Sequence, residues 1–129
     1  MTMTLLPLGP GVAERFEWSR TVTDEQVGAG RRFRAAFREH LTGLLGSDGV
    51  LVMPTMPDIA PLRDEADAAL ETYRNQAIRM LCISGLSGFP QLSMPLAQRD
   101  GAPLGLSLLG PAGSDRALVR LAERLADAG

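Results

Sequence analysis

Lysine is absent from the 129 residues: all 13 basic residues are arginine. That excludes a lysine general base, a lysine Schiff base and a phosphate-binding lysine from any chemistry these residues perform unaided. Cysteine occurs once, at Cys82 in the apolar run Met80-Leu81-Cys82-Ile83, so no internal disulfide is available and a small core residue is expected there. His40 is the one histidine, and it follows the apolar stripe of its segment closely enough to predict a partly buried, hydrogen-bonded side chain. No group of His, Cys and carboxylate residues has metal-ligand spacing, so neither a metal nor another cofactor is expected. No apolar run approaches the ~20 residues of a membrane span. The opening segment MTMTLLPLGPG lacks the basic start of a signal peptide, which makes the cytoplasm the expected compartment.

What is present fits one soluble-type domain: 45% apolar residues, 22% charged residues and a net charge of −2. Without a basic block there is no electrostatic footprint for nucleic acid or an anionic membrane. Residues 1–22 read as an irregular lead-in with a short helix at 11–19, and residues 23–129 as the main segment.

Thr23-Asp24-Glu25-Gln26 has the form of a capping box and opens a helix over 24–45, whose stripe is Val27, Phe33, Phe37, Leu41 and Leu44. Arg31, Arg32, Arg34 and Arg38 fall mainly on its solvated faces, and Gly46 supplies the stop. Gly49-Val50-Leu51-Val52-Met53-Pro54 is an unbroken apolar run and predicts a strand buried on both faces. The loop after it carries Pro54, Pro57 and Pro61 and is stiff and extended. Residues 64–84 predict a second long helix, with Leu70, Tyr73, Ala77, Met80, Leu81 and Ser84 turned inward and Gly85 and Gly88 ending it.

Residues 91–97 and 104–110 predict an antiparallel hairpin about the Asp100-Gly101 signal. Leu104, Leu106 and Leu108 share one face. Gly105, Ser107 and Leu109 share the other, where the small residues permit a close approach. Ser114 is the expected N-cap of a last helix over 115–128. Gly85-Leu86-Ser87-Gly88 has some likeness to a nucleophile elbow. It precedes a strand instead of following one, so a helix-to-strand turn is the better reading.

Four pieces in order resemble the end of the amidase-signature family. They are Val50–Thr55 with Pro57 and Ala60-Pro61, Ser87–Pro95, Gly101–Gly110, and Ser114-Asp115-Arg116-Ala117-Leu118. The resemblance implies a partial α/β/α layer fold: one buried strand and an antiparallel hairpin packed with about three helices. It also implies an amide hydrolase that converts a small uncharged or aromatic amide to an acid and ammonia. The family's nucleophilic serine, its relay serine and its lysine base belong to an earlier part of the family chain. No catalytic residue carries over. The resemblance places Thr55 and Met56 near the cleft and Leu81 and Ser84 on its substrate side, as pocket residues.

The chain is therefore expected to be a C-terminal fragment or subunit, inert alone, that joins the missing N-terminal portion or self-associates. The alternative is a stand-alone, non-catalytic oligomerising or binding domain.

Overall fold

The computed structural model describes Gly9 and residues 11–128. The expected lead-in over 1–10 therefore lies, except for Gly9, outside the described residues. The chain divides into two compact units, one running to Phe33 and the other beginning at Arg34.

In the first unit, helix α1 (Val12–Arg20) buries none of its residues. Helix α2 (Asp24–Leu45), which belongs to this unit as far as Phe33 and to the second from Arg34, opens on the capping box its sequence encodes. The Gln26 NH donates to Thr23 Oγ1 at 3.2 Å, and the Thr23 NH donates to Gln26 Oε1 at 2.9 Å, so two orphan donors of the first turn are satisfied reciprocally.

The second unit is built on a three-stranded antiparallel sheet in the order β1-β3-β2, with β1 at Leu51–Pro54, β2 at Gln91–Arg99 and β3 at Ala102–Leu109. The β2–β3 turn is Asp100-Gly101, both with positive φ (52° and 78°), which matches the twist of a tight hairpin. Between the pairs Met94↔Leu106 and Ala97↔Leu104, β2 has one residue more than β3, so the strand bulges at Pro95-Leu96. Proline has no NH to offer a ladder, and a bulge is where a strand tolerates it.

Helices cover both faces of this sheet. On one face Leu41 and Leu45 of α2 pack with Phe89 and Leu109, joined by Phe37, Leu51 and Ile83. Ile83 belongs to α3 (Asp67–Ser87). On the other face Leu118 of α4 (Asp115–Asp127) packs with Met94 and Leu108, flanked by Val50, Leu92 and Leu106. The result is an α/β/α arrangement. No helix among the described residues is long and apolar enough to cross a membrane.

Several local expectations change. β1 is not buried on both faces: Val52 is 56% exposed and Pro54 is also exposed. The strand closed on both faces is β3, where Ser107, Leu108 and Leu109 are all buried. An apolar run records what a strand tolerates, and the coverage it receives depends on its place in the sheet.

In α2, Leu45 takes the inward place expected of Leu44, which is 63% exposed. At about 100° per residue Leu45 stands about 40° to one side of Leu41 and Leu44 about 60° to the other, so the face centred on Leu41 takes Leu45 and leaves Leu44 at its margin. His40 is exposed, not partly buried, because it stands about 100° from Leu41 around the helix. It lines an open cleft with Ala36, Glu39, Gly43 and Leu44.

Two of the arginines on α2 are engaged: Arg34 Nε donates to the Leu86 carbonyl at 3.0 Å, and Arg38 lies over the Phe89 ring at 5.8 Å. Gly46 closes the helix at φ 58°. α3 begins later than expected and runs through Gly85. It stops at Gly88, whose φ of 71° lets its NH donate to the Ser84 carbonyl at 2.7 Å. Cys82 is half-buried, with Sγ 3.3 Å from the Arg79 carbonyl.

Ser114 occupies the N-cap position of α4, but its side chain makes no cap bond. Its buried Oγ has no partner among the described residues, and Gly110 is buried against it, where a Cβ would overlap that oxygen.

Leu109 and Val52 should separate the closed strand from the open one. Leu109→Ala is expected to cost ~2–5 kcal/mol, and Val52→Ala, at a half-exposed edge, well under ~1 kcal/mol. Urea midpoints of the two variants check the contrast, and equal losses would contradict it.

Candidate functional site

The face of the sheet that receives α2 and α3 changes character along its length. At one end it is apolar, with Leu51, Leu109 and Phe89. Towards the other end β3 presents Ser107 and then Gly105, β2 presents Ser93 opposite Ser107, and β1 delivers Thr55 as it leaves the sheet. The Thr55 NH donates to the Gly105 carbonyl at 2.7 Å, extending the ladder one residue past the strand.

The Thr55 side chain then turns over Gly105. Its Oγ1 lies 2.5 Å from Ser93 Oγ and 2.8 Å from Ser107 Oγ. Three hydroxyls from three strands therefore meet at one threonine. Gly105 is required for this. A Cβ there would come within 2.6 Å of Thr55 Oγ1 and 2.7 Å of Ser93 Oγ. Ser107 is fully buried, Thr55 is half-buried and Ser93 is exposed.

The loop beyond Thr55 is held at two points. Tyr73 of α3 donates its hydroxyl to the Asp58 carbonyl at 3.1 Å. Arg99, the last residue of β2, donates to Asp58 Oδ2 at 2.6 Å. The other Asp58 oxygen accepts from the Ile59 NH at 2.8 Å. Both members of the ion pair are partly solvated (57% and 42% exposed), so its contribution is geometric more than energetic.

The four residues expected at a pocket occupy different settings. Thr55 is the hub of the hydroxyl cluster and Met56 follows it, half-buried in the loop. Leu81 is 37% exposed on the margin of the inward face of α3. Ser84 lies in the last turn of that helix, where its Oγ donates to the Phe89 carbonyl at 2.8 Å. None of the described clefts is lined by any of the four. A shallow opening between the loop and α3, lined by Pro57, Gln76, Arg79 and Met80, is the nearest along the chain to Met56.

Ser87 is fully buried, with Oγ donating to the Ile83 carbonyl at 2.7 Å and accepting from the Phe89 NH at 3.1 Å. That bonding belongs to a helix-to-strand turn. Sequence reasoning noted that Gly105 and Ser107 allow a close approach. It did not identify Ser93 and Ser107 as partners of Thr55, which needs the register of all three strands.

The three layers and the strand register are those of an α/β fold of the amidase-signature type. The Amidase family model matches residues 9–119, and the chain belongs to that family. It is 40% identical over 118 residues to Amidase 1 of Arabidopsis thaliana, covering 92% of this chain and 28% of that protein. It is 29% identical to the translocon at the outer membrane of chloroplasts 64 of Pisum sativum, over 92% of this chain and 20% of that protein. A solved structure described as a crystal structure of amidase superposes with a TM-score of 0.81 at 24% identity, over 94% of this chain and 29% of that one, and shows the shared fold. The chain thus spans little more than a quarter of the length of Amidase 1.

Removing the hub hydroxyl should expose the cluster's energetics. Thr55→Val leaves Ser107 Oγ buried without a partner and is expected to cost ~1–3 kcal/mol. The double variant Thr55→Val/Ser107→Ala, with no orphan hydroxyl, should recover about half of that loss. A double-mutant cycle by chemical denaturation measures it, and strict additivity would show that the two hydroxyls are uncoupled.

Proposed function

We propose that this chain is the C-terminal portion of an amide hydrolase, completing the sheet and walling the pocket while contributing none of the groups that break the bond. In the complete enzyme a small uncharged or aromatic amide is converted to an acid and ammonia, with Thr55, Met56, Leu81 and Ser84 on the pocket side.

The observation that carries this reading is the open side of β1. Among the described residues, this apolar strand with a half-exposed valine at its centre has a neighbour on one edge only, and an unpaired apolar edge is a surface that invites another chain. The absence of lysine agrees with it, since acyl transfer by this family's serine requires an amine base to deprotonate the nucleophile. On this reading the partner is the N-terminal amidase portion or, when that is missing, a second copy of the chain. Cytoplasmic residence, with no nucleic acid or membrane partner, completes the proposal.

A second reading, a non-catalytic oligomerising or binding domain, has one observation in its favour: a relative bears the name of a translocon component instead of an enzyme.

Ammonia release from benzamide decides between them. The purified chain should give no turnover. Co-production with the polypeptide encoded immediately upstream should restore it, and in sedimentation the chain alone should run as an oligomer. A monodisperse, inactive monomer that no upstream polypeptide activates would leave the binding-domain reading standing. Turnover by the chain alone, blocked by a serine-directed covalent probe, would refute both.

A further inference from the structure

The hydroxyl cluster has a direction. Thr55 Oγ1 touches Ser93 Oγ and Ser107 Oγ, and among the described residues neither serine oxygen has another side-chain or backbone partner. Three hydroxyls supply three protons, and two contacts use two of them. One proton is left over, and its position follows from burial.

If the chain ran from Ser93 to Thr55 to Ser107, the spare proton would sit on a fully buried oxygen with no acceptor. If both serines donated to Thr55, the threonine's own proton would be left over at a half-buried residue, on the side where it faces Gly105 and finds no acceptor among the contacts of the cluster. Running from Ser107 to Thr55 to Ser93, the chain satisfies both inner hydroxyls and delivers the spare proton to the one exposed member. Unmet buried donors are costly enough to make this the resting arrangement. Successive donation also polarises each hydroxyl in turn, so Ser93 is a better donor than an isolated serine.

We propose that Ser93 is a ligand-binding residue that donates to the carbonyl oxygen of a small uncharged amide, with Thr55 and Ser107 as the positioning residues that orient its proton. The assignment rests on the amide-hydrolase reading above and deepens it by naming a contact. The charge balance favours a neutral acceptor over a carboxylate or phosphate. Asp58, the one charged residue between Thr55 and Leu62, is already paired with Arg99, and the cluster itself carries no charge. An oriented donor with no net positive charge suits a carbonyl dipole and gives an anion no compensating charge. The three residues come from three separate motif pieces, joined through the β1–β3–β2 register, so the site is absent from any one segment.

Titration of the ¹⁵N-labelled chain with benzamide, followed through its backbone amide signals, tests this without any catalysis. Benzamide is expected to shift the signals of Thr55, Ser93 and Gly105. Benzene, which lacks the acceptor, and benzoate, which carries a charge, should each shift them less. Ser93→Ala, a surface change that keeps the fold, should weaken benzamide binding about fivefold. Ser107→Ala, out of reach of the ligand, should weaken it about twofold by freeing the proton order, and Thr55→Ser, which keeps the chain of hydroxyls, should bind as the parent does. The same spectra report whether each variant is folded.

Equal shifts from benzene, no benzamide shift at these residues, or unchanged affinity in Ser93→Ala would each overturn the assignment. Restored turnover with the upstream polypeptide alongside an indifferent Ser93→Ala would overturn this contact and spare the function. Binding through Ser93 with no restored turnover would do the reverse.

Discussion

Everything in the second unit depends on β3 being enclosed. It has a strand on each side and a helical layer on each face, and its residues alternate between two cores that share no side chain. Leu108 belongs to the layer under α4, and Leu109 to the layer under α2 and α3. A slip of one residue would exchange the two sets, placing Ser107 in an apolar core and Leu108 over the threonine hub, so register is strongly specified. The two-residue turn at Asp100-Gly101 fixes that register from one end, and the bulge at Pro95-Leu96 accommodates the proline without moving it.

The same enclosure explains which parts of the fold were legible in the sequence. Features set by neighbouring residues were readable: the Thr23–Gln26 box, the stops at Gly46 and Gly88, the Asp-Gly turn and the alternating faces of the hairpin. Each depends on atoms a few residues apart. Features set by coverage were not. Val50–Pro54 looks like an inner strand because its residues would tolerate being one, yet it is β3, with its glycine and serine, that lies between two neighbours. The choice between Leu44 and Leu45 turns on a rotation of about 100°, less than an apolar stripe resolves when both residues are leucine. His40 and Ser114 failed in a related way. Residue type suggested a hydrogen bond at each, and position denied it: His40 faces out, and the Ser114 oxygen is closed against Gly110.

The candidate site was half legible, for a separable reason. Thr55 drew attention because it ends a recognisable motif piece at the exit of a strand, where sheets of this kind often line a crevice. Gly105 and Ser107 drew attention only as small residues. That smallness is the trace of the threonine above them, since a side chain at Gly105 would occupy the space of Thr55 Oγ1. What joins them is a contact across 52 residues of sequence, Thr55 to Ser107, and one across 38, Thr55 to Ser93. No local pattern encodes pairings at that separation; they follow from strand order. Leu81 and Ser84, placed by resemblance alone, both stand on α3, with Ser84 in its last turn and bonded into the turn towards β2.

Ser93, the outermost of the three hydroxyls, is exposed to solvent. While that face is open, water accepts the proton that the hydroxyl chain delivers, and the arrangement costs nothing. If another layer closed over that face, the water would be lost and the donor would have to be met by an acceptor or remain unsatisfied in a region of low dielectric. A strand that only needed to fill space at this position would be better served by alanine. A serine, ordered by two further hydroxyls and accommodated by a glycine, is a feature whose cost on burial falls away only when something carrying a lone pair is bound. The same chemistry that makes the cluster a modest structural element in the open chain makes it selective in a closed one. A carbonyl ligand would then stabilise the closed state in proportion to the donor it satisfies, coupling assembly of the sheet to occupancy of the pocket.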